Sequence, residues 1–456
     1  MSSTPLRGFP LLCIRNWMLR VFFALGALLA AATGSSAQIS ITVDGGRLGQ
    51  KINIAVLDLA GQDVTTQRLG AEISAITRAN LVSSGLFNVQ DPSRAPQSSA
   101  QIAGAPDYNL WSSTGARAVV AGRIVPQGNQ LRVEYRLFDI GQRTELNGLA
   151  FTAGRNFVRD IAHLISDNAY EELTGAPGHF STRIVFVSES GDATNRSKRL
   201  AIMDQDGARL EYLTPPGGLV LRPSFSPVRP EITYLSYEDS LPKVYLYNID
   251  TRQQEVLGQF PGMSFSPRFS PDGQQVAFSI SQRGQSDIYV MDLRNRSQRQ
   301  LTTHPSIDTS PSYSPDGRRI VFESERSGEG DQQLYIMNSD GSNVRRISFG
   351  DGRYAAPVWS PDGEWIAFTK ISGGNFSVGV MRTNGTDERI LSSGFLVEGP
   401  SWAPNGRMIT YYKQEPQVGN SGGDASVYVV DIFGNPERRL PTQGGASDPA
   451  WSPLTR

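Results

Sequence analysis

Short apolar stretches alternate with turn residues at regular intervals through the second half of the chain. The pattern is anchored by a phrase of proline, one residue, an aromatic residue, serine or alanine, and a second proline, often followed by Asp-Gly or Asn-Gly. The phrase begins at Pro223, Pro267, Pro311, Pro357, Pro400 and Pro449, so that it recurs every 43–49 residues. A period in the forties that is filled with short strands is typical of the blades of a β-propeller.

One repeat, residues 357–391, shows how the pattern predicts a blade of four strands. The predicted strands are Val358-Trp359, Trp365–Thr369, Val378–Met381 and Arg389–Leu391, and the turns are Ser360–Gly363, Gly373-Gly374 and Asn384-Gly385. In the first turn, proline presets φ at the second position and glycine closes the fourth. The aromatic residue of the phrase is expected to lie in the core between blades.

The two ends of the repeat array predict how the propeller closes. The last phrase, Pro449–Pro453, supplies a single strand, whereas Arg183–Val187, Leu200–Met203 and Arg209–Leu213 form three strands that lack a first one. We therefore predict a mainly β fold with a closed six-bladed propeller over residues 180–456, in which the last strand completes the blade that begins at Arg183. An open β-solenoid is the alternative, but it leaves the complementary ends unexplained.

Residues 50–175 have a different pattern, which predicts a small α/β domain. Strands are expected at Ile52–Leu57, Phe87–Val89, Ala118–Val125, Leu131–Phe138 and Thr144–Thr152, and helices around Leu69–Leu81 and Phe157–Leu173. The apolar spacing is near two residues in the strands and near 3.6 residues in the helices. We expect a mostly antiparallel sheet, with residues 91–106 as a loop.

Residues 1–37 have the organisation of a signal peptide. Arg7, Arg15 and Arg20 are followed by the apolar run Val21–Ala32 and then by the small residues Thr33–Ala37. The run is too short for a permanent membrane anchor. A lipoprotein is disfavoured because Cys13 lies before the run and not after it. An exported chain without further cysteines fits the bacterial periplasm.

The charge balance and the motifs give no support for a nucleic-acid binder or for an enzyme. The formal charge of −1 becomes −4 when the three leader arginines are removed, which gives no reason to expect nucleic acid or an anionic membrane as a ligand. Gly419–Gly423 matches the hydrolase motif G-x-S-x-G, but it lies in a loop where strand, turn and helix are required. Asp204–Gly207 lacks the glutamate that would complete a calcium loop, so a hairpin turn is expected. We expect no catalytic residue, metal or cofactor.

Residues 38–49 contain a separate short pattern, in which Ile39, Ile41 and Val43 alternate with polar residues. One interpretation is an ordinary edge strand. The other is a detachable strand that pairs with another protein.

Taken together, the leader, the α/β domain and the repeats resemble the TolB family, the periplasmic component of the Tol–Pal system. The resemblance covers essentially the whole chain and is carried by Ile39–Gly46, Ile54–Leu57, Leu293–Thr302, Phe395–Gly406 and Pro449–Pro453. It implies a non-enzymatic protein that binds the lipoprotein Pal at the mouth of the propeller channel. It further implies that the mature amino terminus binds the C-terminal domain of the inner-membrane protein TolA. The family maintains the outer membrane and its invagination during cell division.

The resemblance also implies candidate binding residues. The Pal site is expected on the loops that lead into each first strand, at Met263, Ser266, Thr309, Ser310, Arg353, Tyr354 and Glu398, with Thr309 at the position of a Pal-contacting threonine of the family. The TolA site is expected at Gln38, Ile39, Ile41, Val43 and Asp44. The protein is expected to be a monomer that meets membranes only through its partners. The rival hypothesis is an enzyme or small-molecule binder that uses the channel. Inward carboxylates or histidines at equivalent repeat positions would favour this rival, and the sequence shows none.

Overall fold

The computed structural model describes residues 50–102, 104–191, 196–237, 242–259, 263–328, 331–416, 423–434 and 437–454, with the backbone alone at residues 259 and 263–265. The predicted signal peptide, the predicted strand over residues 38–49 and most of Gly419–Gly423 lie outside these residues. No helix in the described ranges has both the length and the apolar character that crossing a bilayer requires.

The first sheet belongs to a small α/β domain. Its strands are β1 (Ile52–Val56), β2 (Ala60–Gly61), β3 (Phe87–Val89), β4 (Ala118–Gln127), β5 (Gln130–Asp139) and β6 (Thr144–Gly154), and its helices are α1 (Val64–Ser83), α2 (Tyr108–Ser112) and α3 (Val158–Thr174), with 3₁₀ turns at Pro92–Arg94 and Arg155–Phe157. The strand order is β3-β1-β4-β5-β6, with β2 beside β4. The short helix α2 is an element that the sequence analysis did not predict.

The sheet is mixed: the long pairings of β4 with β5 and of β5 with β6 are antiparallel, as expected, but the parallel pairings at the other side were not predicted. Strand β1 runs parallel to both β3 and β4, and β2 runs parallel to β4. The reason is the connection, because helix α1 carries the chain from the end of β1 back to the start of β3. Helix α1 begins with a reciprocal cap, in which the Thr66 amide donates to the Asp63 carboxylate at 2.8 Å and the Asp63 amide donates to the Thr66 hydroxyl at 3.0 Å.

Six four-stranded sheets form the propeller. The chain first lays down β7 (Arg183–Ser190), β8 (Ser197–Asp204) and β9 (Glu211–Tyr212). Blades 1 to 3 follow as β10 (Val220–Phe225), β11 (Glu231–Ser236), β12 (Lys243–Asn248) and β13 (Gln254–Gln259); β14 (Met263–Phe269), β15 (Gln275–Gln282), β16 (Gln285–Asp292) and β17 (Gln298–Gln300); and β18 (Asp308–Tyr313), β19 (Arg319–Ser324), β20 (Gln333–Asn338) and β21 (Arg345–Arg346). Blades 4 and 5 are β22 (Arg353–Trp359), β23 (Trp365–Ser372), β24 (Asn375–Arg382) and β25 (Arg389–Gly394), and β26 (Leu396–Trp402), β27 (Met408–Gln414), β28 (Ala425–Asp431) and β29 (Arg438–Arg439). The last strand, β30 (Gly445–Trp451), joins β7–β9 as blade 6.

The recurring phrase folds the same way in successive blades because its turn is held by local hydrogen bonds. In blade 4, the Ser360 hydroxyl donates to Asp362 at 2.5 Å and accepts from the Trp365 amide at 2.9 Å. Gly363 has a φ of 79°, a left-handed conformation that glycine adopts without strain. The same serine and aspartate contacts recur at Ser270 and Ser314. The repeat in the sequence is therefore largely a repeat of turn chemistry.

The aromatic residues of the phrase lie between blades, as predicted. Trp359 is 5% exposed and belongs to an apolar cluster with Val321 and Ile336 of the preceding blade. Its amide also donates to Ser312 of that blade at 3.1 Å. Trp451 likewise packs with Met408 of blade 5. Blades 4 and 6 are thus each joined to the preceding blade by a tryptophan side chain and by a hydrogen bond from the amide of that tryptophan.

The predicted closure of the ring is confirmed. Strand β30 pairs antiparallel with β7, with Ala446 opposite Ser188 and Trp451 opposite Ile184. The first strands of neighbouring blades contact one another all the way round, so that they line a central channel.

We predict that deleting residues 445–456 lowers the melting temperature by at least about 10 °C. Loss of a buried tryptophan alone costs about 3–5 kcal/mol, and each kcal/mol shifts the melting temperature of a domain of this size by about 2–4 °C. The measurement is a thermal melt followed by circular dichroism. A chain that ends at Leu454 is the control and should melt like the parent. A deletion protein that melts within 2–3 °C of that control would show that β30 does not hold the ring closed.

Candidate functional site at the mouth of the propeller channel

The innermost strand of every blade carries the same irregularity. One residue directly before the first proline of each phrase adopts a left-handed conformation, with φ between 46° and 67°: Arg222, Ser266, Ser310, Ala356, Gly399 and Asp448. The pairing register with the second strand shifts at these positions, as in a β-bulge. Five of the six residues are not glycine, and such a conformation costs on the order of 1–3 kcal/mol per residue. The closed ring holds this strained set in place.

These residues correct one expectation from the sequence. The residues expected on loops before the first strands, namely Met263, Ser266, Thr309, Ser310, Arg353, Tyr354 and Glu398, belong instead to the first strands β14, β18, β22 and β26. The bulge accommodates the extra residue while the ladder to the second strand continues on both sides of it.

The direction of the innermost strands shows at which end of the channel the left-handed residues lie. Each innermost strand starts at one end, which we call the mouth, and runs to the Ser-Pro turn at the opposite end. The α/β domain contacts the turns at this opposite end, since Arg159 pairs with Asp206 after β8 and His179 meets Asn405 in a phrase turn. The mouth and the α/β domain therefore lie at opposite ends of the channel.

A cavity of about 210 Å³ lies just inside the mouth. Residues from five blades line it: Arg222, Ser310, Glu323, Gln332, Ala355, Ala356, Thr369, Ile371, Glu398, Gly399 and Asp448. The lining holds three carboxylates, Glu323, Glu398 and Asp448, against one guanidinium group, that of Arg222. Tyr412 donates to Glu398 at 2.9 Å, and the Arg222 amide donates to Asp448 at 3.4 Å.

The charges in the channel perturb one another. Burial alone would lower the pKa of Arg222, but Asp448, Tyr412 and Glu398 outweigh burial and raise it. Burial together with the like charge of Arg222 lowers the pKa of Arg268 to about 10. Burial, Asp448 and Glu398 raise the pKa of Tyr412, so that its hydroxyl stays protonated and can donate. The single guanidinium group of Arg222 neutralises the three carboxylates of the cavity only in part, and such a site suits recognition of polar groups.

Comparison with known proteins agrees with this architecture. The family model described as the TolB beta propeller domain matches residues 170–455, and the TolB amino-terminal domain matches residues 39–146. The Tol-Pal system protein TolB of Gluconobacter oxydans (strain 621H) is 43% identical over 440 residues, covering 94% of each chain. The crystal structure of TolB from Acinetobacter baumannii superposes with a TM-score of 0.77 at 30% identity, covering 89% of this chain and 97% of the other.

The chain belongs to the TolB family. Membership supports a role in the Tol–Pal system and interaction with components of that system.

In this TolB-family chain the predicted Pal-binding residues differ in how accessible their side chains are. Ser310 and Glu398 line the cavity, and Arg353 is exposed at the start of β22. Ser266 and Thr309 are largely buried, and the Thr309 hydroxyl donates to Glu323. Met263 begins β14, where only its backbone is described.

Tyr354 differs from the others because its side chain is fully buried. Its hydroxyl donates to Glu388 at 2.7 Å, and its ring centroid lies 5.3 Å from that of Phe368. It therefore fixes the start of β22, and a partner at the mouth would meet its neighbours first.

The sequence analysis named Glu398 but missed the other two channel carboxylates, Glu323 and Asp448. Asp448 is the left-handed residue of its strand, Glu398 is the residue before such a position, and Glu323 lies on a second strand. A search for carboxylates at equivalent repeat positions does not find them, because the three occupy different positions in three different blades. To find them from the sequence, one would have to ask which non-equivalent repeat positions come close together when the ring closes.

The junction between the two parts of the TolB-family fold holds a second ionic cluster. Ligand atoms of His163, Asp204 and Asp206 lie within 4.8 Å of one another. Arg159 and Arg209 already pair with these carboxylates, at 2.5 Å to Asp206 and 2.8 Å to Asp204. Burial raises the pKa of Asp204, but His163 and Arg209 outweigh burial and lower it to about 2. The cluster is therefore better explained as a set of ion pairs that join α3 to blade 6 than as a metal site.

His179 supports the same junction as a neutral base. It is buried, and the side-chain amide of Asn405 donates to its Nδ1 at 3.0 Å. Burial, with Arg438 and Arg407 nearby, lowers the pKa of His179 to about 3. Because an unfolded histidine titrates near 6.5, protonation favours the unfolded state at every pH below that value.

We predict that His179 makes the protein less stable as the pH falls from 6.5 toward 5. One proton contributes up to about 1.4 kcal/mol per pH unit. Urea unfolding at pH 7.5, 6.5 and 5.0 would measure the free energy of unfolding. In His179→Gln, the loss between pH 6.5 and 5.0 should be smaller by about 1–2 kcal/mol. His304→Gln changes an exposed histidine and should keep the parent's pH dependence. An unchanged slope in His179→Gln would contradict the assignment.

Proposed function

We propose that this protein is a non-enzymatic periplasmic scaffold that links TolA, at the inner membrane, to the lipoprotein Pal, at the outer membrane. In this role it would help to maintain the outer membrane and to draw it inward during cell division. The observation that carries the proposal is the family match over both parts of the fold. It is supported by the geometry, because the mouth and the α/β domain, which follows the proposed TolA-binding segment in the chain, lie at opposite ends of the channel.

Pal is proposed to dock at the mouth. Three features support this site. They are the cavity of about 210 Å³, its excess of carboxylates over guanidinium groups, and the exposed Arg353 at the start of β22. A protein loop that enters the mouth would meet Ser310 and Glu398 directly. Buried Thr309 and Tyr354 would act by holding Glu323 and the start of β22 in place.

TolA is proposed to bind the amino-terminal strand through Gln38, Ile39, Ile41, Val43 and Asp44. Alternating apolar residues suit the addition of a strand to a sheet edge. The described residues begin with Gln50, which is exposed and lies two residues before β1 of the α/β domain. This segment precedes the α/β domain in the chain, whereas the proposed Pal-binding residues belong to the propeller, so we propose that both partners can bind at once.

A channel enzyme or small-molecule binder remains the second candidate, and the three carboxylates favour it. However, about 210 Å³ is smaller than the 300–1,000 Å³ typical of small-molecule sites. Arg222 and Tyr412 also engage Asp448 and Glu398. Binding of a protein surface is the better fit.

We predict that Arg353→Glu weakens Pal binding by about tenfold or more, because it reverses the charge at the rim of a desolvated interface. Calorimetric titration of purified Pal into the chain from Gln38 onward would measure the affinity. Arg318→Glu is the matched control, since Arg318 is equally exposed but lies in a phrase turn at the opposite end. Equal effects of the two variants, or none from either, would place the Pal site elsewhere.

A second prediction concerns the amino-terminal strand. A chain that lacks residues 38–47 should lose detectable binding to the TolA C-terminal domain, because the proposed strand is gone, and its melting temperature should be unchanged. If strand and mouth are coupled, its Pal affinity should also change, and TolA should alter Pal affinity by the same factor in the intact protein. Retained TolA binding by the shortened chain would overturn the assignment of Gln38–Asp44.

A further inference from the structure

Strand β6 is an unusually open sheet edge. It has 11 residues, and in the described part of the chain β5 is its only pairing partner. The outermost strands of the blades are shorter, with two residues in β9, β21 and β29, three in β17 and six in β13 and β25. Proteins usually blunt an exposed edge with short length, lysine or proline. Strand β6 has none of these, and Glu145 is its one charged residue.

A groove of about 470 Å³ runs along one face of the sheet beside this edge. It exists because β6 presents Gly148 and Ala150 there, opposite Arg136 and Glu134 of β5. Arg123 and Arg132 both bind Glu134 at 2.7 Å, and Arg136 lies 3.7 Å from Glu145. Three guanidinium groups thus share two carboxylates, and their side chains are 65%, 41% and 48% exposed. The groove retains positive charge that solvent can reach.

The other face of β6 carries two large apolar side chains, Leu149 and Phe151. Leu149 is 41% exposed, and Phe151 stacks on Tyr135 with ring centroids 6.2 Å apart. Because side chains alternate along a strand, a strand added to β6 would place every second residue beside Leu149 and the others beside the arginines.

We propose that β6 accepts an extended segment of a partner protein whose residues alternate between acidic and apolar. Backbone hydrogen bonds to the open edge would supply affinity for any extended segment, and the groove would select segments with acidic side chains. The chain's own segment Ile39–Val43 fits less well, because Ser40 and Thr42 stand where the groove calls for acids. This site is separate from the mouth and does not depend on the binding of Pal.

The test uses a labelled nine-residue peptide of alternating valine and glutamate, and a second peptide with lysine in place of glutamate. Fluorescence anisotropy with the chain from Gln38 onward should show saturable binding of the glutamate peptide and at least tenfold weaker binding of the lysine peptide. Leu149→Lys should weaken glutamate-peptide binding at least tenfold. Val82→Lys, at a 55% exposed position on α1, should not. Hydrogen exchange of the Thr144–Gly154 amides should slow when the peptide binds.

If Leu149→Lys folds poorly, Arg136→Glu still gives a decisive test. This variant should weaken binding of the glutamate peptide and strengthen binding of the lysine peptide. Pal affinity should stay unchanged in both variants, so this proposal and the proposed function fail separately. Absence of binding, or binding insensitive to both variants, would overturn the proposal. Binding that appears only after residues 38–49 are removed would assign the edge to the chain's own segment and also overturn it.

Discussion

The pairing of β30 with β7 is the constraint on which the rest of the structure depends. It joins residues that are far apart in the chain, with Trp451 opposite Ile184. The entropic cost of closing so long a loop grows only slowly with its length, whereas an open ring would expose two sheet edges and several buried apolar side chains. Closure also places Asp448 beside Arg222. The channel cavity exists only while the ring is closed, since residues from five blades line it.

The same strand ties the propeller to the α/β domain. The Trp451 indole donates to the Thr182 hydroxyl at 2.8 Å, and its ring lies 6.0 Å from that of His179. Directly before Thr182, the amides of Phe180 and Ser181 donate to Asp167 of α3 at 2.7 Å and 2.9 Å. The ring closure and the junction therefore share atoms. Damage at one is expected to reach the other, even though the mouth and the junction lie at opposite ends of the channel.

The fold was predictable from the sequence to the extent that it is encoded locally. The blades follow from turn chemistry at residues such as Ser360 and Gly363, and the closure follows from the unmatched strands at the two ends. Properties that depend on contacts across blades were not predictable. The burial of Tyr354, the left-handed strand residues and the presence of Glu323 and Asp448 in one cavity all arise from neighbours distant in sequence. The parallel pairing of β1 was missed for a related reason, because apolar alternation predicts a strand and not its partner.

The geometry also limits how force could pass through the molecule if it links two membranes. On the proposed function, Pal would attach at the mouth and TolA beyond Gln50, so that tension would run from the innermost strands to the α/β domain. Strand β30 spans this distance by itself, with Ser447 bonded to Glu189 near the mouth and Trp451 bonded to Thr182 at the junction. Its ladder with β7 runs along the direction of the load, so that several backbone hydrogen bonds would resist together and not one after another. On the proposed function, the inner position that mixed closure gives to β30 is the one that sets its ladder with β7 along the load.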